Sequence, residues 1–148
     1  MKKISLLLVI VLLFGVLAGC GGSAKDPGMD TIVSSLEKIL DPEGKMLALD
    51  SDFMKNIMGL SEEMYADANL KKTSVGTAID EYGILKGADS KQAAEIKKAV
   101  EAYVKMRQDT WMSEYLPEEF PKLENAVVAA SGNYVIYIIA SEEMRAAA

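Results

Sequence analysis

The apolar residues of this chain fall into runs of different period, and each period predicts a different element. Residues 4–17 form an almost unbroken apolar run behind a short positive start, Met1-Lys2-Lys3. The run is short for a spanning helix, which wants about 20 apolar residues. Residues 21–28, GGSAKDPG, offer nothing large enough for a core and carry three glycines and a proline. They predict a flexible tether reaching at most roughly 30 Å at ~3.3–3.6 Å per residue. Met29, Ile32, Val33, Leu36, Ile39 and Leu40 then recur at helical spacing, and Asp41-Pro42-Glu43-Gly44 ends that helix in a turn.

Shorter signals follow. Residues 45–49 suit a strand. Asp50 or Ser51 caps a brief helix with Phe53 and Ile57 on one face, stopped by Gly59. Residues 65–70 alternate weakly, as an edge strand does, and 71–77 read as a polar loop. Glu81–Lys86 is a second strand, with Gly83 the mark of a bulge. The strongest helix signal begins at Asp89, three residues before Gln92 at capping-box spacing. It carries Ile96, Val100, Tyr103, Val104 and Trp111 on one stripe, with Ala93, Ala99 and Met106 beside it, and is predicted to reach about Tyr115, short of Pro117. Residues 125–130 and 134–140 are the clearest strands, joined by Gly132-Asn133 as a two-residue hairpin. The second, YVIYIIA, is apolar throughout and belongs inside the sheet with both faces covered. Residues 141–148 start a last helix. The mixture predicts an α+β domain: one antiparallel or mixed sheet of about five strands with helices packed on it.

The first run is an address. A positive start, an apolar stretch and the small pair Ala18-Gly19 follow the order of a secretory signal peptide. The four residues Leu17-Ala18-Gly19-Cys20 resemble the lipobox of bacterial lipoproteins. That resemblance implies signal-peptidase recognition through Leu17, Ala18 and Gly19, a diacylglyceryl group on the Cys20 thiol, and cleavage before Cys20. An ordinary signal peptide with an incidental cysteine would leave an odd thiol unexplained in an exported protein. Two acyl chains at about 0.8 kcal/mol per buried CH₂ hold a chain stably on a bilayer. The expected organisation is a lipoprotein signal peptide over 1–19, a lipidated cysteine and tether over 20–28, and one domain over 29–148. The expected location is the extracytoplasmic face of the cell membrane.

Removing residues 1–19 takes Lys2 and Lys3 with it and leaves 14 basic residues against 22 acidic ones, a net charge of −8. This argues against nucleic acid, which calls for a basic face, and against adsorption to anionic lipid by charge. With Cys20 acylated no thiol remains for a disulfide, so packing alone must hold the fold.

There is no histidine. Its absence removes the commonest general base, the histidine triads and the usual nitrogen ligand of zinc or copper. No G-x-S-x-G or glycine-rich phosphate loop is present either, and the domain is expected to be non-catalytic, with no cofactor or metal. Asp50-Ser51-Asp52 and the group Glu114, Glu118, Glu119 and Glu124 are the two acidic spots that calcium could take. The first sits where a helix cap is wanted and lacks the further oxygens calcium needs, and the second fits a solvated face around Pro117. Met54, Met58, Met106 and Met112 serve either as core filler or as the wall of a pliable pocket; copper would want softer or nitrogenous company. Arg107 stands four residues after Tyr103 and four before Trp111. It either stacks on Trp111 with its head in water or meets an anionic ligand or partner beside that aromatic wall.

The segment EYLPEEFPKLENAVVAASGNYVIYIIA, behind the long Lys/Ala-rich helix, resembles a family of small bacterial lipoproteins with a domain of unknown function, common in Gram-positive anaerobes of the clostridial class. The likeness covers roughly residues 29–140 and implies anchorage without implying an activity. Two functions stay open: a protein-interaction module of the cell envelope, and a receptor for a small ligand or peptide with a cleft near Arg107 and Trp111. An enzyme working through carboxylates comes third, and a buried carboxylate pair in such a cleft would revive it.

Overall fold

The computed structural model describes residues 25–148 other than Ser113. Cys20, the expected anchor, and its neighbours Leu17, Ala18 and Gly19 lie outside those residues.

Five antiparallel strands form one sheet in the order β1-β2-β3-β5-β4. They are β1 (Leu47–Ala48), β2 (Asp67–Lys72), β3 (Glu81–Lys86), β4 (Val127–Ser131) and β5 (Tyr134–Ile139). Helix α1 (Met29–Leu40) and the C-terminal α5 (Glu142–Ala147) cover one face; α2 (Ser51–Ile57) and the long α3 (Ser90–Asp109) cover the other. A short α4 (Phe120–Glu124) leads into the β4–β5 hairpin. The α+β expectation holds, and the sheet is wholly antiparallel.

Strand period explains the two cores. Tyr82 and Ile84 of β3 and Ile136 and Ile138 of β5 point toward α1, meeting Leu36 and Leu40. Leu85, Val135, Tyr137 and Ile139 point the opposite way, onto Ile96 and Val100 of α3. Every residue of β5 is buried, as its continuous apolar run predicts. The hairpin turns on Gly132 at φ 55°, with Ser131 opposite Tyr134.

Several local expectations change. Strand β2 runs on to Lys72 and is not an edge, because Leu47 and Ala48 pair with Lys72 and Lys71. Lys71 is polar for a different purpose: its ammonium bonds Glu37 at 2.6 Å and approaches Asp41 at 3.4 Å. Helix α2 turns Phe53 and Met54 toward the core, with Met58 buried just past its end, and leaves Ile57 half exposed, so Phe53 and Ile57 do not share a buried face. Helix α3 stops at Asp109, six residues early. The Thr110 hydroxyl donates to the Met106 carbonyl at 2.8 Å, and the chain turns there so that the Trp111 ring packs on Phe120, centroids 5.7 Å apart. Gly83 makes no bulge, since its strand pairs without interruption on both sides. The tether is not free throughout: Asp26 is bonded to Lys86, Tyr134 and the Gly28 N–H.

Candidate functional site

The functional candidates gather where β3 begins and α3 ends. Gly83 faces Tyr137 across the β3–β5 pair. A Cβ at Gly83 would stand 2.3 Å from Tyr137 Cε1 and 2.8 Å from Leu70 Cγ. Glycine is required there because the Tyr137 ring occupies the space a Cβ would take, and in that position its hydroxyl reaches Glu81, two residues back on the same face.

Glu81 is 4% exposed and accepts from three side chains. The Tyr137 hydroxyl donates to Oε1 at 2.7 Å, the Tyr103 hydroxyl stands 2.9 and 3.1 Å from Oε1 and Oε2, and Arg107 Nη1 donates to Oε2 at 2.6 Å. Tyr103 and Arg107 are one turn apart on α3, so a single helix face supplies both. The guanidinium carbon lies 5.6 Å from the Tyr103 ring centroid, and that ring meets Phe53 and Tyr137 edge-on. Arg107 thus stacks on Tyr103, and its charge goes inward to Glu81.

Burial pushes the Tyr103 and Tyr137 hydroxyls far above the usual phenol range, and the Glu81 carboxylate pushes them further. Both remain protonated donors. Burial works against the Arg107 charge, but Glu81 outweighs it and the guanidinium's pKa rises. Donors and acceptors here are spent on one another, so the cluster holds the end of α3 against β3 and offers no free base or nucleophile.

A second network lies alongside. Lys122 donates to Asp80 at 2.8 Å and to Glu119 at 2.7 Å, while Glu119 accepts the Ile79 N–H at 2.9 Å. Burial lowers the Lys122 pKa and its two carboxylates reverse this, for a net rise. Gln108 closes the group by donating to the Leu123 carbonyl at 2.9 Å. Residues 79–81, the end of α3 and α4 are therefore fastened together by side chains. On the opposite face of the sheet, a recess lined mainly by Leu40, Met46, Tyr82 and Met144 has a volume of about 10 Å³, room for one water.

Two of the exposed large apolar side chains, Met112 and Tyr115, lie on the loop beyond α3; Leu47, Ile57 and Met106 are exposed elsewhere. Trp111 is half-buried between Phe120 and Tyr115. Leu116 takes φ 46°, in the left-handed region that a branched side chain rarely adopts. Tyr115 reaches the Gly76 carbonyl at 3.5 Å, which brings the 73–80 loop beside it. Met112 is 67% exposed, Val75 56% and Tyr115 54%.

The remaining candidates separate. Asp50 spends its carboxylate capping α2 through the Phe53 N–H at 2.8 Å, and Asp89 does the same for α3 through Gln92. Glu119 belongs to the Lys122 network, while Glu114, Glu118 and Glu124 face solvent. Among the described residues no three acidic side chains converge as a metal site. Met54 and Met58 are core; Met106 and Met112 are surface. Ser35 and Lys38 stand at Ser-x-x-Lys spacing, a pattern easily passed over in the sequence, but both are exposed and Ser35 donates to the Thr31 carbonyl. Arg107 and Trp111 sit at the same end of the fold in different roles. The Glu81 cluster as a whole has no local sequence signal, since its members come from three elements; the Tyr103–Arg107 spacing and an acid opening an apolar strand are its visible hints.

No curated protein and no solved structure matches the chain. Residues 38–140 match a domain of unknown function, DUF4358, running from the end of α1 to just past β5 and so including the Glu81 cluster and the loop beyond α3. The chain is a member of the DUF4358 family.

Proposed function

We propose that this protein is a lipoprotein anchored through Cys20 to the extracytoplasmic face of the cell membrane, where its domain serves as a non-catalytic interaction module for another envelope protein. The anchorage rests on Leu17-Ala18-Gly19-Cys20. The observation that carries the interaction is the exposure of Met112, Tyr115 and Val75 on two adjoining loops. Large apolar side chains grouped on a surface are the usual mark of a docking site. The polar networks beneath brace that surface, since α3, α4 and residues 79–81 are tied together under it. A ligand cleft at Arg107 gains no support from the geometry, because the guanidinium is already paired with Glu81 at 2.6 Å.

The test is photo-crosslinking in intact cells, with a photoreactive side chain replacing Met112 in the lipidated chain and, as control, Lys98 on the exposed side of α3. A discrete adduct at 112 that is missing at 98, and is lost when Tyr115→Ser is added, is the expected result. Equal labelling at both positions, or none at 112, overturns the proposal.

A further inference from the structure

The two ends of the sheet are tied to different parts of the chain. Lys86 closes β3 and Tyr134 opens β5 as register partners. Asp26 is fastened to both, accepting from Lys86 Nζ at 2.6 Å and from the Tyr134 hydroxyl at 2.6 Å, and its Oδ1 also takes the Gly28 N–H at 2.9 Å. Lys86 Nζ lies 5.1 Å from the Tyr134 ring centroid, so lysine, ring and carboxylate form one clasp. Helix α3 starts at this same end, where the Gly87 N–H donates to the Asn133 carbonyl at 2.7 Å. It finishes at the other end, with Arg107 on Glu81, the residue that opens β3. Glu81 and Lys86 are separated by five strand steps, roughly 17 Å at ~3.4 Å per residue. The loops bearing Val75, Met112 and Tyr115 lie past Glu81.

Chain length converts this polarity into an orientation. With Asp26 clasped, residues 21–25 alone separate Cys20 from the domain, a reach of at most about 20 Å. A domain of some 120 residues is about 35 Å across, from a radius of gyration near 13–14 Å. Turning it over would take a tether at least as long as the domain is wide. Laying the far end on the bilayer is opposed by charge, since the net charge beyond residue 19 is −8 and exposed Glu114 and Glu118 flank the apolar cluster.

Resting on the Cys20 anchorage proposed above, we infer that the Asp26 clasp stands the domain on the membrane with its Lys86/Tyr134 end down, presenting Val75, Met112 and Tyr115 away from the bilayer to a protein with an apolar, basic-rimmed surface. The acidic flank selects the basic rim, and the standoff selects a protein over lipid.

The full lipidated chain in vesicles of phosphatidylethanolamine and phosphatidylglycerol carrying a headgroup quencher tests this. Lys91→Cys at the start of α3 and Met112→Cys are labelled singly with a fluorophore, acylated Cys20 being unavailable to the reagent. Quenching at 91 is expected to exceed that at 112 at least about twofold, given the ~17 Å of strand between the two ends. Asp26→Ala is expected to narrow the ratio by lengthening the free chain. Equal quenching, or stronger quenching at 112, in a chain whose mass includes the diacylglyceryl group overturns the orientation alone. A ratio unmoved by Asp26→Ala overturns the role of the clasp. A chain lacking that mass overturns the anchorage and the orientation with it.

Discussion

Two carboxylates in this domain have nearly the same partners in opposite surroundings. Glu81 takes an arginine and two tyrosine hydroxyls and is 4% exposed; Asp26 takes a lysine, one tyrosine hydroxyl and a backbone N–H with its side chain 54% exposed. The bonds are alike in length. Their consequences differ because water screens one and not the other. An exposed pair loses most of its Coulombic gain to solvent and to side-chain entropy. A buried pair has already lost its hydration, so removing one member strands the other. Glu81 is thus an all-or-none part of the core, whereas Asp26 is a surface latch whose removal costs the fold as a whole little. That division fits the position of each: one braces the loops bearing the exposed apolar residues, and the other fastens the segment ahead of α1 to the ends of β3 and β5.

The comparison breaks most visibly at Arg107. Arg107→Leu leaves Glu81 buried without a cation and is expected to cost about 3–5 kcal/mol in urea unfolding. Glu81→Leu combined with Arg107→Leu should recover most of that loss, since removing both charges removes the stranded one. If the double variant is no more stable than the single, the cluster is not the coupled unit described. The next effect is steric. Gly83→Ala places a methyl against Tyr137 and Leu70 and is expected to cost about 1–3 kcal/mol as core overpacking. Paired with Tyr137→Leu the penalty should shrink, because the ring that needs the space is gone. An unchanged penalty in the pair would assign the cost to the backbone.

How much of this was legible in the sequence follows from the range of the interactions. Helix α1, strand β3, the β4–β5 hairpin and the interior place of β5 are set by local period and turn chemistry, and the expectations match closely. The end of α3 was missed because the stripe continues through Trp111, whose burial comes from Phe120 on α4 and not from the helix's own face. The interior place of β2 was missed because its cover is a two-residue strand and its lysines read as loop. Gly83 shows the limit sharply: a glycine in a strand signals either a bulge or a close approach. Only the residue across the register, 54 positions further along, decides for close approach. Arg107 stands out in the sequence between Tyr103 and Trp111, but the partner that uses its charge is 26 positions away on another element.

The smallest effect separates the two clusters by pH. Asp26 is held well below its ordinary value near 3.8, by the Lys86 ammonium first and then by the Tyr134 hydroxyl and the Gly28 N–H. A depressed carboxyl contributes stability that is complete above the unfolded value and lost as pH falls toward the folded one. The latch should therefore be closed throughout pH 5–8 and loosen only below about pH 4. Tyr103 and Tyr137 shift upward from 10.0, and the sign reverses. Above about pH 10 the unfolded chain releases their protons while the folded chain keeps them, so stability falls as pH rises. Hydrogen exchange at the Gly28 N–H reports the acid limb, and the urea midpoint reports the alkaline one. Asp26→Asn should raise exchange at Gly28 at neutral pH while leaving the urea midpoint almost unmoved. A clear drop in that midpoint would mean that Asp26 belongs to the core with Glu81, and that the contrast between latch and brace is wrong.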